Sequence, residues 1–279
     1  MRESNIKNKI KLIALDLDGT TLNAKGQFSN RTKEAFAAAM AKDIHIVIST
    51  GRAFSSLPKD LFNIKGLEYV ITSNGAQITE IATMKAIYTN YISSHAIEEV
   101  VEILRKNKLS VEAFTGGKAY IDAREYEEVS TKGSTYRDVD YIIRTRNPVE
   151  GIYDHMLSHK DAIENINVNF EFLEDKEKMG HVLRSIDNIT LTSSFIHNWE
   201  IGGATTSKGE ALRFLMQKLD IHESQMLACG DSPNDSEMLK LAGIGVAMAN
   251  ATDEVKNIAD IIADHHDNDG VAKIIEKYI

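Results

Sequence analysis

The segment IALDLDGTTL, residues 13–22, runs apolar as far as Asp16, places a second acid at Asp18, and follows it with Gly19, Thr20 and Thr21. Alternate residues of a strand share a face, so Asp18 leaves the strand on the side of Asp16. Asp16 so placed can attack phosphorus. Asp18 can protonate the departing oxygen and later deprotonate the water that hydrolyses the intermediate. Gly19 lets the backbone turn out of the sheet closely enough for amides to reach a phosphate. Asp and Gly also end strands as plain turn formers, so the pair gains its meaning from the other segments.

Three further segments answer it. IHIVIST ends at Thr50-Gly51, Lys208 stands at the first turn of a helix beside Ser207, and QMLACGD opens a run from Asp231 to Asp235. Carboxylates with few compensating cations suit a hard divalent ion, most simply Mg²⁺. A lysine beside a hydroxyl and the free amides of a helix start suits a phosphate. Carboxylate, Mg²⁺ and phosphate together point to phosphoryl transfer through an aspartyl-phosphate.

Elements that alternate strand and helix must hold these residues. KIKLIALDL, IHIVIST and EYVITS read as buried strands, with Ser29 capping a helix through RTKEAFAAAMAK. That rhythm predicts an α/β fold with a doubly wound parallel sheet, whose ligands collect at the carboxyl ends of the strands. The middle reads differently. SHAIEEVVEILRKN is a helix with Ser94 as its expected cap, VEAFTGGKAYID is a hairpin around Gly116-Gly117, and NINVNFEF alternates Ile166, Val168, Phe170 and Phe172 against Asn165, Asn167, Asn169 and Glu171. An inserted α+β domain is therefore expected over 85–197, between core segments 1–84 and 198–279. The α/β rhythm then resumes with TTSKGEALRFLMQKLD, where Ser207 and Glu210 fit a capping box. The strand QMLACGD, the strand GIGVAM, the helix TDEVKNIA, a short strand DIIA and a terminal helix VAKIIEKYI complete it.

Composition excludes several classes. With 43% apolar and 26% charged residues, the 279-residue chain reads as an ordinary globule. No apolar run could cross a bilayer, and MRESNIKNKI lacks the apolar core of a leader, so no membrane partner is expected. The one cysteine, Cys229, permits no internal disulfide, which favours the cytoplasm. A net charge of −9 disfavours nucleic acid.

The chain resembles the haloacid dehalogenase superfamily of phosphatases, and within it the Cof-like subfamily with a C2B-type cap. The resemblance rests on DLDGT (16–20), ISTGR (48–52), SNGA (73–76), TSKGEAL (206–212), GDSPNDSEML (230–239) and NDGVAKIIE (268–276). It implies a Rossmann-like core and a cap that selects the substrate. It implies Asp16 as nucleophile and metal ligand, and Asp18 as general acid and base with its carbonyl on the metal. Leu17 is implied to offer its amide to the phosphate, Thr50 and Gly51 to hold phosphate oxygens, and Lys208 to neutralise the nucleophile and the transferring group. Asp231 is implied to complete the metal ligands, Asn234 to touch phosphate, and Asp235 to act from behind the ligands. The implied activity is Mg²⁺-dependent hydrolysis of a small phosphorylated metabolite, by a monomer or homodimer; a sugar phosphomutase and a non-catalytic phospho-ligand sensor are the alternatives.

Other residues read as structural. Arg52 is expected to brace its loop, Asn74 to shape a turn and Cys229 to pack. His95, His155 and His181 are expected on the surface. HHDNDGVAKIIE has the acidic spacing of a calcium loop but starts on His265, a poor calcium ligand, so a turn leading into a helix is expected there.

Overall fold

The computed structural model describes residues 10–279; Lys9 of the first expected strand, and all but the last residue of MRESNIKNKI, lie outside the described residues. In chain order the strands are β1 (Leu12–Leu15), β2 (His45–Ser49), β3 (Tyr69–Thr72), β4 (Gln77–Glu80), β5 (Lys85–Thr89), β6 (Ser110–Thr115), β7 (Lys118–Asp122), β8 (Arg146–Val149), β9 (Ile163–Asn169), β10 (Ile189–Thr192), β11 (Asn198–Gly203), β12 (Met226–Gly230), β13 (Ile244–Ala247) and β14 (Ile261–Ile262). They form two sheets. The chain divides into two compact units, one of Met1–Gly51, Pro58–Thr89 and Ser207–Ile279, the other of Arg52–Leu57 and Asn90–Thr206.

The first unit holds the sheet β14-β13-β12-β1-β2-β3-β4-β5. Its pairs from β14 to β3 are parallel, as strands separated by helices require. β1 lies between β2 and β12 and is buried on both faces, which explains its unbroken apolar run. The helix Lys208–Leu219 packs Leu212, Leu215 and Met216 against Leu12, Ala14, Val47 and Ile71. Ser29 caps its helix by accepting from the Thr32 amide. Ser207 likewise accepts from the Glu210 amide at 3.1 Å. The Glu210 side chain pairs with Arg213 instead of returning to Ser207, so only half of the capping box forms. The sheet is also not wholly parallel, because β4 and β5 add an antiparallel edge.

The second unit holds the sheet β10-β11-β9-β6-β7-β8. On one face Val111, Ala113, Ile166, Val168 and Ile201 pack against Ile97, Val100 and Leu104 of the helix Ser94–Lys106, Met156, and Leu183. That helix is capped by Ser93, which accepts from the Ala96 amide; the cap lies one place earlier than expected, and Ser94 is the first helical residue. The boundaries also move. β5 belongs to the first sheet and β11 to the second, so the inserted segment spans 90–206 instead of 85–197. Arg52 does brace its loop, donating to the Ser56 carbonyl at 3.0 Å and stacking 5.0 Å from the Tyr141 ring centroid. His155 is half-buried against Tyr120 and His159 instead of lying on the surface.

The strand alternation in NINVNFEF stops at Asn169, and Phe172 is 64% exposed as it enters the next helix. The asparagine face of β9 is buried, contrary to a half-exposed strand. Asn167 donates to Glu112 at 3.1 Å and accepts from Asn198 at 2.9 Å. Glu112 also receives Arg137 and, at 2.7 Å, Arg146, all three side chains almost wholly enclosed. Burial pushes the Glu112 carboxyl up, but the charges of Arg146 and Arg137 and the bonds from Arg146 and Asn167 outweigh it and hold the group at about 2, below its ordinary 4.5. The folded chain therefore binds fewer protons at this carboxyl than the unfolded one. The stability it contributes is complete above about pH 4.5 and is lost as the pH falls toward 2. Glu112→Gln is expected to lower unfolding stability by about 3–5 kcal/mol at pH 7, because it takes the carboxylate from the buried Arg146 guanidinium and leaves Arg137 with Glu125 alone. Urea unfolding at pH 7 and pH 3 checks this: the gap between wild type and variant should shrink at the lower pH.

Candidate active site

β1 pairs with β2 and β12 so that Leu15 lies opposite Ile48 on one side and Cys229 on the other. The next residues of all three strands therefore emerge together at the carboxyl edge of the sheet, bringing Asp16, Thr50 and Asp231 to one end. Lys208 arrives from the first turn of its helix. Gly75 permits that approach: its φ is +97°, and a Cβ there would lie 2.1 Å from the Ser207 carbonyl oxygen.

Lys208 is wholly buried, and its Nζ donates to Asp16 Oδ1 and to Asp235 Oδ1, each at 2.6 Å. Asp235 is also fully enclosed, and its Oδ2 accepts the amides of Asp231 at 2.9 Å and Ser232 at 3.0 Å. Asp235 is thus committed to its neighbours. Asp231 is steadied from both sides, accepting from the Thr20 hydroxyl at 2.7 Å and the Ser232 hydroxyl at 3.0 Å. One oxygen from each of Asp16, Asp231 and Asp235 lies within 4.8 Å of the others.

Three carboxylates crowd one ammonium. Burial drives the Asp16 carboxyl well above its ordinary range; Lys208 opposes this, while Asp235, Asp231 and Asp18 add to it. Burial and the charge of Asp235 raise Asp231 to about 6, against the bonds from Thr20 and Ser232. For Lys208, burial favours the neutral amine, but Asp16 and Asp235 outweigh it and keep the ammonium charged. The excess of buried negative charge and the all-oxygen donor set fit a hard divalent cation such as Mg²⁺.

The loop after Asp16 is shaped around these acids. Gly19 has a φ of +74°, and a Cβ there would meet the Asp231 carboxylate at 2.6 Å. The Thr21 hydroxyl donates to the Asp16 carbonyl at 2.5 Å, and the Asn250 amide donates to the Gly19 carbonyl at 2.7 Å. Asp18 is the exposed member of this loop, while the Leu17 side chain is buried and its carbonyl accepts from the Leu22 amide. Gly19→Ala is expected to cut turnover by about 10²-fold by displacing both Asp18 and Asp231. Steady-state kinetics with a circular-dichroism control for folding checks it.

Thr50 and Asn234 are joined indirectly. The Asn74 amide donates to the Thr50 carbonyl at 3.1 Å, and Asn234 donates to Asn74 Oδ1 at 3.0 Å. Asn74 has a φ of +57°, as a turn-shaping residue should. Gly51 follows Thr50 and is half-buried. The oxygen of the Asn234 side chain is buried without a hydrogen-bond partner among the described residues. Cys229 is buried, and burial pushes its thiol far up, so it packs and does not react. Sequence reasoning gave no role to Thr20, Ser232 or Asn250. A hydroxyl beside an acid was a usable signal for the first two.

The chain is similar to known proteins over nearly its whole described length. The family model described as haloacid dehalogenase-like hydrolase matches residues 13–275. The chain is 30% identical to phosphatase YwpJ of Bacillus subtilis, over 96% of this chain and 99% of that one. It is 31% identical to the 5-amino-6-(5-phospho-D-ribitylamino)uracil phosphatase YcsE of the same organism, over 97% and 96%. A solved haloacid dehalogenase-like hydrolase from B. subtilis superposes with a TM-score of 0.84 at 30% identity, covering 97% of this chain and all of that one.

Proposed function

The chain belongs to the haloacid dehalogenase-like hydrolases, and on that premise we propose that it is a Mg²⁺-dependent phosphatase of a small phosphorylated metabolite, working through an aspartyl-phosphate at Asp16. The observation that carries the reading is the buried Lys208, bonded at 2.6 Å to Asp16 and to Asp235, with Asp231 beside them.

Asp16 attacks phosphorus, forming an oxygen–phosphorus bond as the bond to the leaving oxygen breaks. Asp18 gives that oxygen its proton. It then takes a proton from water, which attacks the same phosphorus and releases phosphate and free Asp16. Lys208 holds Asp16 in place and offsets charge on the transferring group. Thr50, the Gly51 and Leu17 amides and Asn234 bind phosphate oxygens. Asp16, the Asp18 carbonyl and Asp231 would hold Mg²⁺, with Asp235 fixing their surroundings; the ion supplies neutralisation of the charge shared by nucleophile and phosphate. We assign to the inserted unit the choice among sugar phosphates, nucleotides and phosphorylated cofactors, and to the protein a cytoplasmic place. The YcsE likeness supports putting a phosphorylated ribityl compound in the first panel.

Phosphate release from such a panel tests the reading. With Mg²⁺ at least one compound should turn over, and EDTA should abolish it. Isomer formation without phosphate release would replace hydrolase by mutase, and binding without turnover would leave a sensor.

A further inference from the structure

The loop that carries Asp18 is held from outside by the last part of the chain. Asn250 Nδ2 donates to the Gly19 carbonyl, His266 Nδ1 lies against the Leu22 carbonyl, and Asp267 Oδ1 accepts the Ala24 amide, each at 2.7 Å. A carbonyl only accepts, so His266 Nδ1 carries the proton and is the donor. All three ties fall on backbone groups between Gly19 and Ala24. The turn that supplies two of them leads into the helix Gly270–Tyr278, as its sequence predicts.

The ties form one assembly. The His266 amide donates to Asn250 Oδ1 at 3.2 Å, so the Asn250 side chain bridges a carbonyl on one side and an amide on the other. That use of both ends fixes which atom is nitrogen and which is oxygen. The segment around Asn250 is itself fastened to the neighbouring strand end, where the Met248 amide donates to the Gly230 carbonyl and the Thr252 amide to the Asp231 carbonyl, each at 3.0 Å. Asn250 therefore refers the position of Gly19 to that of Asp231. The His266 side chain is only 15% exposed, which shields its bond to Leu22 from water.

Asp18 needs such a frame. Its side chain is exposed, so packing does little to fix its direction. The next residue is a glycine, the least restricted type of backbone. The aim of the Asp18 carboxyl thus depends on how the Gly19 carbonyl is held, and proton transfer tolerates little displacement. Resting on the hydrolase reading, in which Asp18 is acid and base, we propose that Asn250 and His266 are positioning residues that aim Asp18 at the leaving oxygen.

The leaving group separates positioning from plain support. An alkyl oxygen departs poorly without a proton, whereas p-nitrophenolate departs without one. The quantity to measure is kcat/KM, which covers the steps through loss of that oxygen. Asn250→Ala is expected to lower it by about 10–10²-fold for an alkyl phosphate and by no more than about threefold for p-nitrophenyl phosphate. His266→Ala keeps the amide bond to Asn250 and loses only the tie to Leu22, so the same pattern is expected at about tenfold. His266→Asn sets a donor nitrogen at the same distance from the backbone and should restore most of the loss. Equal losses on the two esters, in variants that melt like the wild type, would overturn the proposal. So would no loss on the alkyl ester, or a His266→Asn as impaired as His266→Ala. Should Asn250→Ala fail to fold, the two His266 variants carry the test alone. A wild type inert toward both esters would instead overturn the hydrolase reading, and the positioning role with it.

Discussion

Asp16→Asn is expected to lower turnover by at least about 10⁴-fold with the fold intact, a loss on the scale seen when a nucleophile is removed from a set of residues that act as one. The amide is nearly the same shape, so the site keeps its packing; what disappears is the oxygen that must bond to phosphorus. The same change removes one of three buried carboxylates gathered around a single ammonium, while Lys208 retains Asp235 at 2.6 Å. The metal-free variant should therefore melt no lower than the wild type. Calorimetry beside a phosphate-release assay reads both halves. A variant that is inactive because it unfolds would make Asp16 a structural residue and remove the case for its chemistry.

Lys208→Met should fail in the opposite way, losing both activity and stability. Its Nζ bonds Asp16 and Asp235 in a place closed to water. Without the ammonium, two carboxylates are left buried and facing each other, which costs about 3–5 kcal/mol when a buried pair is broken. Turnover should fall by about 10²–10³-fold or more, the scale for removing one preorganised group at developing charge. Because a divalent cation would offset part of the same charge, Mg²⁺ should raise the melting temperature of Lys208→Met more than that of the wild type. Thermal unfolding with and without Mg²⁺ measures this, and equal shifts in both proteins would argue against a cation among these acids.

The acids and the lysine were legible because chemistry leaves them little choice of type or place. An apolar run that stops at Asp16, and another that stops just before Asp231, can be read without coordinates, since strand ends of a parallel sheet meet at one edge. Gly75 could be seen in SNGA, but the reason for it, the Ser207 carbonyl 2.1 Å from where its Cβ would be, exists only in three dimensions. The edge hairpin β4–β5 escaped because Gln77–Glu80 and Lys85–Thr89 are short and mixed in polarity, and the domain boundary moved with it. The buried centre of the second unit escaped for another reason. Glu112, Arg137 and Arg146 lie far apart along the chain, and arginine and glutamate read as surface residues until they pair. Asn250 gives no sign at all in sequence; its role is visible only as a bond to Gly19 and another from His266.

The central claim is that phosphate passes through Asp16. It is met most directly by rapid acid quench during turnover with Mg²⁺ and any active member of the panel, followed by peptide mass spectrometry. A phosphoryl adduct is expected on the peptide carrying Asp16 and should be absent from Asp16→Asn. Steady phosphate release with no adduct at Asp16, or with the adduct on another residue, would contradict the account and move the chemistry elsewhere.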